Sequence, residues 1–327
     1  PPCLWRESSK ARPEMGMVSN SKAVSPAKTP SKGRQRNENL KGGLPFLAPA
    51  LILFGVFVVF PMIKAFQLSF FDWDGLSEQK AFVGLSNYVY IFTKDPVFWR
   101  AVRNTLVWVI LSLIIPTSLG LGIAMAMNQQ LAGRNVFRTI FYLPAVLAAI
   151  AVATMWRWIY NPNFGVVNYV LKAAGLGGLK QAWLGDPNLA LFSIFIASVW
   201  VVTGLNMVLF LAGLQNVPKE ITEAAKVDGA GHWQVFRNVT VPALQPTLVV
   251  VLSLTIINSL KVFDLVIGMT GGGPAQSTQV LALWSYMQSF SNHNFGVGNA
   301  IAMVLFAITL LIVVPYVLWT QRQEEMS

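Results

Sequence analysis

The 327-residue chain is short of three things: cysteine (one), histidine (two) and charge (12% of residues). The lone Cys3 excludes an intrachain disulfide, and no cysteine cluster offers a metal site. His232 and His293 are too isolated to build a zinc centre or a hydrolase triad, so we expect no catalytic residue and no bound metal. A phosphate-cradling P-loop needs Lys-Ser/Thr after its glycines. The run Gly271-Gly272-Gly273-Pro274 lacks that pair and reads as a turn. Soluble domains carry about 25% charged residues, so a chain with half that share is not a soluble one.

What the chain has instead is apolar length. Hydrophobic residues make up 54% of it. A bilayer core about 30 Å thick takes roughly 20 helical residues to cross. Six stretches meet that requirement: approximately Leu44–Phe66, Thr105–Met127, Thr139–Ile159, Leu189–Leu214, Ala243–Met269 and Gly298–Thr320. They are continuously apolar, unlike the alternating strands of a barrel, and a helix satisfies its own backbone in lipid. The expected fold is all-α and polytopic, with six transmembrane helices and a cytoplasmic loop between the fourth and fifth. Residues 42–320 form the membrane domain, flanked by tails at 1–41 and 321–327. No internal repeat is visible, which argues against a transporter built from inverted halves.

The N-terminal tail carries nine cations (Arg6, Lys10, Arg12, Lys22, Lys28, Lys32, Arg34, Arg36, Lys41) against Glu7, Glu14 and Glu38. Its Ser, Pro and Lys content reads as disordered. Positive charge beside a span stays in the cytoplasm, so the N-terminus is expected inside, with the net charge of +10 serving topology and lipid headgroups rather than nucleic acid. Alternation then puts 128–138, 215–242 and the C-terminus inside and 67–104, 160–188 and 270–297 outside. Arg134, Arg138, Lys219, Lys226 and Arg237 fit the inner loops. Tryptophans 99, 108, 156, 158, 183 and 319 fall near span ends, as an interfacial belt requires.

The loop 215–242 is the most informative segment. Asn216-Val217-Pro218 reads as a helix start with Glu220 in the first turn, where the dipole favours acid. Ile221, Ala224, Ala225 and Val227 form a short apolar stripe, and Gly229 ends the helix because it tolerates positive φ. Trp233 and Phe236 mark a second short helix leading into Pro242. The expectation is a bent pair of helices at the membrane surface. Inside the spans, Asn206, Asn258, Ser259, Lys261 and Asp264 are costly polar residues and so candidate functional ones. Lys261 and Asp264, at i and i+3, are expected to share a helix face.

The segment Glu223-Ala224-Ala225, with Asp228-Gly229-Ala230, Val239, Val241 and Pro242, resembles the Glu-Ala-Ala motif of the binding-protein-dependent ABC importer permeases. Phe82-Val83-Gly84-Leu85 with Asn87-Tyr88, Asn104-Thr105, Leu143-Pro144, Trp156, Trp158, Gly165 with Asn168, Phe263-Asp264 and Met269-Thr270 with the Gly271–Pro274 run are similar to its sugar-type branch, the maltose and glycerol-3-phosphate permeases. The similarity covers roughly 44–320, without the large outer domain of some maltose-type members.

The resemblance implies a multi-pass subunit of a bacterial inner membrane that forms half of a pathway for a carbohydrate or polyol phosphate. It implies a second homologous permease, two P-loop ATPase subunits that bind the ATP, and an external solute-binding protein as partners, with no cofactor of its own. Glu223, Ala224, Ala225, Asp228, Gly229 and Ala230 would couple to the ATPase, and Gly271–Pro274 would lie at the outer gate. Asn206, Asn258, Ser259, Lys261 and Asp264 would line the solute pathway or bind the partner helices. The competing class is a stand-alone secondary transporter or channel, active without an ATPase, which leaves the Glu-Ala-Ala loop unexplained.

Overall fold

The computed structural model describes residues 46–129 and 133–326. The basic tail 1–41 lies outside the described residues. The chain divides between residues 59 and 60 into two compact units. The described part of the first is helical, and the helical stretch Phe46–Leu68, here α1, contains a π-turn at Gly55–Val59.

In the second unit a two-residue hairpin, β1 (Phe71–Asp72) and β2 (Ala81–Phe82), pairs Phe71 with Phe82. Helices follow: α2 (Ser86–Thr93), α3 (Pro96–Met127), α4 (Arg134–Val146), α5 (Ala149–Ile159), α6 (Val166–Ala173) and α7 (Ala190–Gln215). Then come α8 (Lys219–Val227), α9 (His232–Ala243) and α10 (Gln245–Leu260). The chain ends with α11 (Asp264–Met269), α12 (Leu281–Tyr286, extended by a π-turn at Met287–Ser291) and α13 (Phe295–Met326). Helix α13 therefore takes in most of the segment read from sequence as a tail.

Four helices, α1, α3, α7 and α13, are long and apolar enough to cross a bilayer singly. The other two spans are broken. Helices α4 and α5 meet at 101°, and α9 and α10 at 71°. Counting each bent pair as one span gives six. The unbroken third and fifth spans expected from sequence are corrected here. Leu147 and Ala148 are extended (ψ 142° and 136°) and divide the third. The fifth turns at Leu244 and breaks again at Lys261–Phe263, where Phe263 takes φ −148°.

Asp95 starts α3, its carboxylate accepting hydrogen bonds from the backbone of Val97 (2.9 Å) and Phe98 (3.2 Å), with Pro96 just after it. The motif satisfies donors that a helix start otherwise leaves free. The second oxygen accepts from Trp284 Nε1 at 2.7 Å, tying α3 to α12.

The interior is organised around α7, which packs along α3, α4 and α10. Small residues let these backbones approach, the usual device where lipid removes the hydrophobic drive between helices. A Cβ on Gly120 of α3 would come within 2.7 Å of Asn206 Cβ on α7, and Gly204 sits against the Phe141 carbonyl of α4. One apolar cluster joins α3, α5, α7, α11 and α12 through Trp108, Ala153, Ile194, Phe195, Val266, Met269 and Leu283. Trp108 is 2% exposed with its ring edge-on to Phe195 at 5.2 Å. It is a core residue, which corrects its assignment to an interfacial belt. Trp99, Trp158 and Trp319 are exposed.

Candidate functional site

Three regions hold the sequence candidates. The first is the bent pair α8–α9. Helix α8 ends as its sequence requires: the Gly229 N–H donates to Lys226 O (3.1 Å) and the Ala230 N–H to Ala225 O (3.0 Å), with Gly229 at φ 83°. This reciprocal pair caps the helix carbonyls and needs a left-handed residue at Gly229. Gly231 then starts α9, its N–H donating to Gln234 Oε1 at 2.8 Å. The rings of Trp233 and Phe236 lie 5.3 Å apart, and a π-turn spans Phe236–Thr240. Beneath the bend, a cavity of about 410 Å³ is lined by Met125 of α3 with Thr222, Lys226, Ala230, His232 and Val235.

The outer face of this pair is open. Glu223, Ala224, Asp228 and Gly229 are exposed, Ala225 and Ala230 half-buried. So are three large apolar side chains: Ile221 (52%), Val227 (87%) and Trp233 (69%).

The second region is a small cavity of about 110 Å³ between α3, α7 and α10, lined in part by Trp108, Ser112, Ser198, Asn206, Thr255, Asn258 and Ser259. It brings together three of the five intramembrane candidates, Asn206, Asn258 and Ser259. Asn206 is 3% exposed and its Nδ2 has no partner; the same holds for Oγ1 of Thr255 (5%) and of Thr203 (7%). Leaving a buried amide or hydroxyl unpaired costs about 1–3 kcal/mol.

Lys261 and Asp264 do not join this cavity. The break between α10 and α11 removes the helical i, i+3 geometry, so the two do not form the shared pair expected from sequence. Both are exposed, as is Asn258.

The third region is the turn Thr270–Val280. Gly271 (φ 60°), Gly272 (91°), Ala275 (48°) and Gln276 (60°) are left-handed, around a cis Gly273–Pro274 bond. Gly272 is required twice over, since a Cβ there would also strike the Gln279 amide. Thr278 Oγ1 donates to Gly273 O (2.8 Å) and contacts Thr270 Oγ1 (2.8 Å). Helix α3 grips the turn. Asn104 Nδ2 donates to Ser277 O and Gln279 O (2.8 Å each), Arg100 to Ala275 O (2.9 Å), and Thr105 Oγ1 accepts from the Leu281 N–H (3.0 Å). The sequence pattern held Asn104-Thr105 as a similarity but offered no role for it; these contacts supply one. Asn168 is a second such hub. Its Nδ2 donates to Pro162 O and Gln181 O, and its Oδ1 accepts from Trp183 Nε1 at 2.9 Å.

With this geometry in hand, comparison with known proteins decides the family. The model of the binding-protein-dependent transport system inner membrane component matches residues 118–322. The chain belongs to this family. A probable ABC transporter permease protein of Pyrococcus horikoshii is 39% identical over 292 residues, covering 89% of this chain and 99% of its own. A trehalose/maltose transport system permease of Thermococcus litoralis is 34% identical over 286 residues, covering 88% and 95%. Among solved structures, a bacterial ABC transporter involved in the import of the acidic polysaccharide alginate superposes with a TM-score of 0.76 at 25% identity, covering 88% of this chain and 99% of that one. The protein is thus a multi-pass membrane permease subunit of the ABC importer type.

Proposed function

We propose that the chain forms half of the translocation pathway of a sugar-importing ABC transporter, and that α8–α9 is where an ATPase subunit docks. The observation that carries the reading is the exposed face of this pair. A self-contained fold has no use for a capped, sharply bent helix pair that shows Ile221, Val227 and Trp233 beside Glu223 and Asp228. Apolar anchors rimmed by charge are what a protein interface presents. In this reading the two termini and α8–α9 face the cytoplasm, as the positive-inside rule requires, and the turn Thr270–Val280 faces outside.

Carbohydrate as cargo is supported by two kinds of evidence. Relatives bear names such as multiple sugar-binding transport system permease in Streptococcus mutans and trehalose/maltose permease in Thermococcus litoralis. The cavity beside Asn206, Thr255 and Asn258 offers donors and acceptors to hydroxyl groups. At about 110 Å³ it is well below the ~300 Å³ where small-molecule pockets begin. It therefore has to widen to admit a sugar, and a stroke delivered through α8–α9 would do this by moving the helices that wall it. A second permease would cover the exposed Asn258, Lys261 and Asp264, and an external solute-binding protein would deliver cargo. ATP would be bound by the ATPase subunits.

The test is isolation from native membranes in mild detergent, with mass spectrometry of what accompanies the chain, followed by uptake in vesicles. We expect a P-loop ATPase and a second permease to copurify, and uptake to require ATP. A chain that emerges alone and moves solute without ATP would establish the secondary-transporter reading instead.

A further inference from the structure

The underside of the α8–α9 bend carries cations that neither the docking face nor the polar cavity uses. Lys226 and His232 line the cavity of about 410 Å³ beneath the bend. A second cavity, of about 500 Å³, is lined by Asn128 after the end of α3, Arg134 at the start of α4 and Gln215 at the end of α7. Thr222 and Thr240 line both, so the two are compartments of one cleft. Each is of a size that takes a small molecule, about 300–1,000 Å³.

No acid lines this cleft. Glu220, Glu223 and Asp228 belong to α8 or its cap, yet none of them borders either cavity. Thr222 and Lys226, one turn apart on α8, face the cleft, whereas Val227 stands open at 87%. Among the described residues, Arg134, Lys226 and His232 form no ion pair. Arg138 follows Arg134 by one turn and shares its face of α4. It is half-buried. Its Nη2 donates to Met127 O at 3.5 Å, beside the lining residue Asn128, and its Nε is buried without a partner. Cations that only fix topology stand in water or among headgroups. These stand in a concave space among amides and hydroxyls.

Such a set asks for an anion with several oxygens. A guanidinium offers a planar fork that matches phosphate, and lysine adds a point charge. A carboxylate brings two oxygens and one charge, whereas a phosphate monoester brings three acceptor oxygens and nearly two charges. Asn128, Gln215 and the two threonines suit hydroxyl groups on the molecule that bears it. We propose that the cleft binds a phosphoryl group, with Arg134 and Arg138 holding its oxygens and Lys226 adding charge from α8. An occupied cleft braces the bend against α3 and α4, and so acts as a brake on the stroke. This rests on the importer reading above and goes beyond it by giving the coupling region a ligand of its own. Two sources share the chemistry: a soluble sugar phosphate, the product of any kinase acting on an imported sugar, and the headgroup of an anionic phospholipid.

The test uses the full transporter in phosphatidylcholine nanodiscs. Binding of radiolabelled glucose 6-phosphate is measured by equilibrium dialysis, with inorganic phosphate and glucose as competitors, and ATP hydrolysis is followed by ADP release. A parallel set carries phosphatidylglycerol in the disc and no sugar phosphate. We expect binding that inorganic phosphate competes away and glucose does not, and hydrolysis slowed several-fold by glucose 6-phosphate. Arg134→Gln should weaken binding about tenfold and lift the slowing, with Arg134→Lys, which keeps the charge and loses the fork, in between. Should Arg134→Gln fail to assemble with the ATPase, Lys226→Gln reads the same loss of binding. Slowing by phosphatidylglycerol alone, lifted by Arg134→Gln, would assign the phosphoryl group to lipid. The proposal is overturned if neither source slows the wild type, if both variants respond as the wild type does, or if the ATPase subunits without this chain bind the sugar phosphate equally well. Unslowed hydrolysis by an intact complex leaves the importer reading standing. Absence of any ATPase from the preparation would sink that reading instead.

Discussion

Helix α7 and the pair α8–α9 are neighbours in sequence and opposites in design. Helix α7 is an apolar helix that hides polar groups: Ser193, Ser198, Thr203 and Asn206 are all buried. The pair α8–α9 is polar and amphipathic, and shows apolar ones: Ile221, Val227 and Trp233 are all exposed. Each inverts the pattern that would stabilise it alone. The difference teaches where the chain is incomplete. Along α7 the unmet need is for hydrogen bonds, which a hydroxylated cargo can supply. Along α8–α9 it is for apolar cover, which the proposed ATPase contact would supply.

The largest expected effect comes from breaking the frame that both regions share. Gly120→Leu drives a side chain into Asn206 across the α3–α7 seam. Overpacking commonly costs about 1–3 kcal/mol and more where backbone blocks relief, so the yield of monodisperse protein after solubilisation should collapse, with Gly120→Ala affected less. Next is Gly229→Val, which forces a β-branched residue to φ 83°. The strain of ~1–2 kcal/mol falls on the α8 cap alone, where added atoms meet nothing. ATP-driven uptake should fall about tenfold or more with normal expression; unimpaired uptake would remove α8 from the coupling role.

Asn206→Leu sharpens the other half of the comparison. It removes an unpartnered amide, so the melting temperature of the isolated chain should hold or rise, by up to about 1–3 kcal/mol in stability, while sugar uptake drops. A variant that loses its second permease instead would assign Asn206 to helix contact. The smallest effect on the chain itself is expected from Trp233→Ala. An exposed side chain contributes within about 0.5 kcal/mol to stability, so thermal unfolding should barely move, yet ATPase retention on the purified complex should weaken. Equal retention would leave the exposed ring without a function.

What could be read from sequence followed local rules. Gly229 was legible because a helix with a periodic stripe must stop somewhere, and glycine alone enters the left-handed region freely. Asn206 was legible as a residue to notice because an amide inside an apolar run is costly to place. The breaks at Leu147–Ala148 and Lys261–Phe263 were not, since neither pair of bounds carries a glycine or proline to mark it. Distance along the chain hid the grip of Asn104 on Ser277 and Gln279, more than 170 residues away. Trp108 misled because its position in the run resembled an interface, while its burial against Phe195 depends on how α3 meets α7.

Helix α3 touches everything that matters here. Its first turns hold the Thr270–Val280 turn through Arg100, Asn104 and Thr105, its middle walls the polar cavity with Trp108 and Ser112, and Met125 near its end lines the space under the α8–α9 bend. With 32 residues at 1.5 Å each, it is a rod about 48 Å long. A lever needs no relay: whatever tilts one end of this helix displaces the Thr270–Val280 turn, the wall of the polar cavity and the space beneath the α8–α9 bend in a single motion.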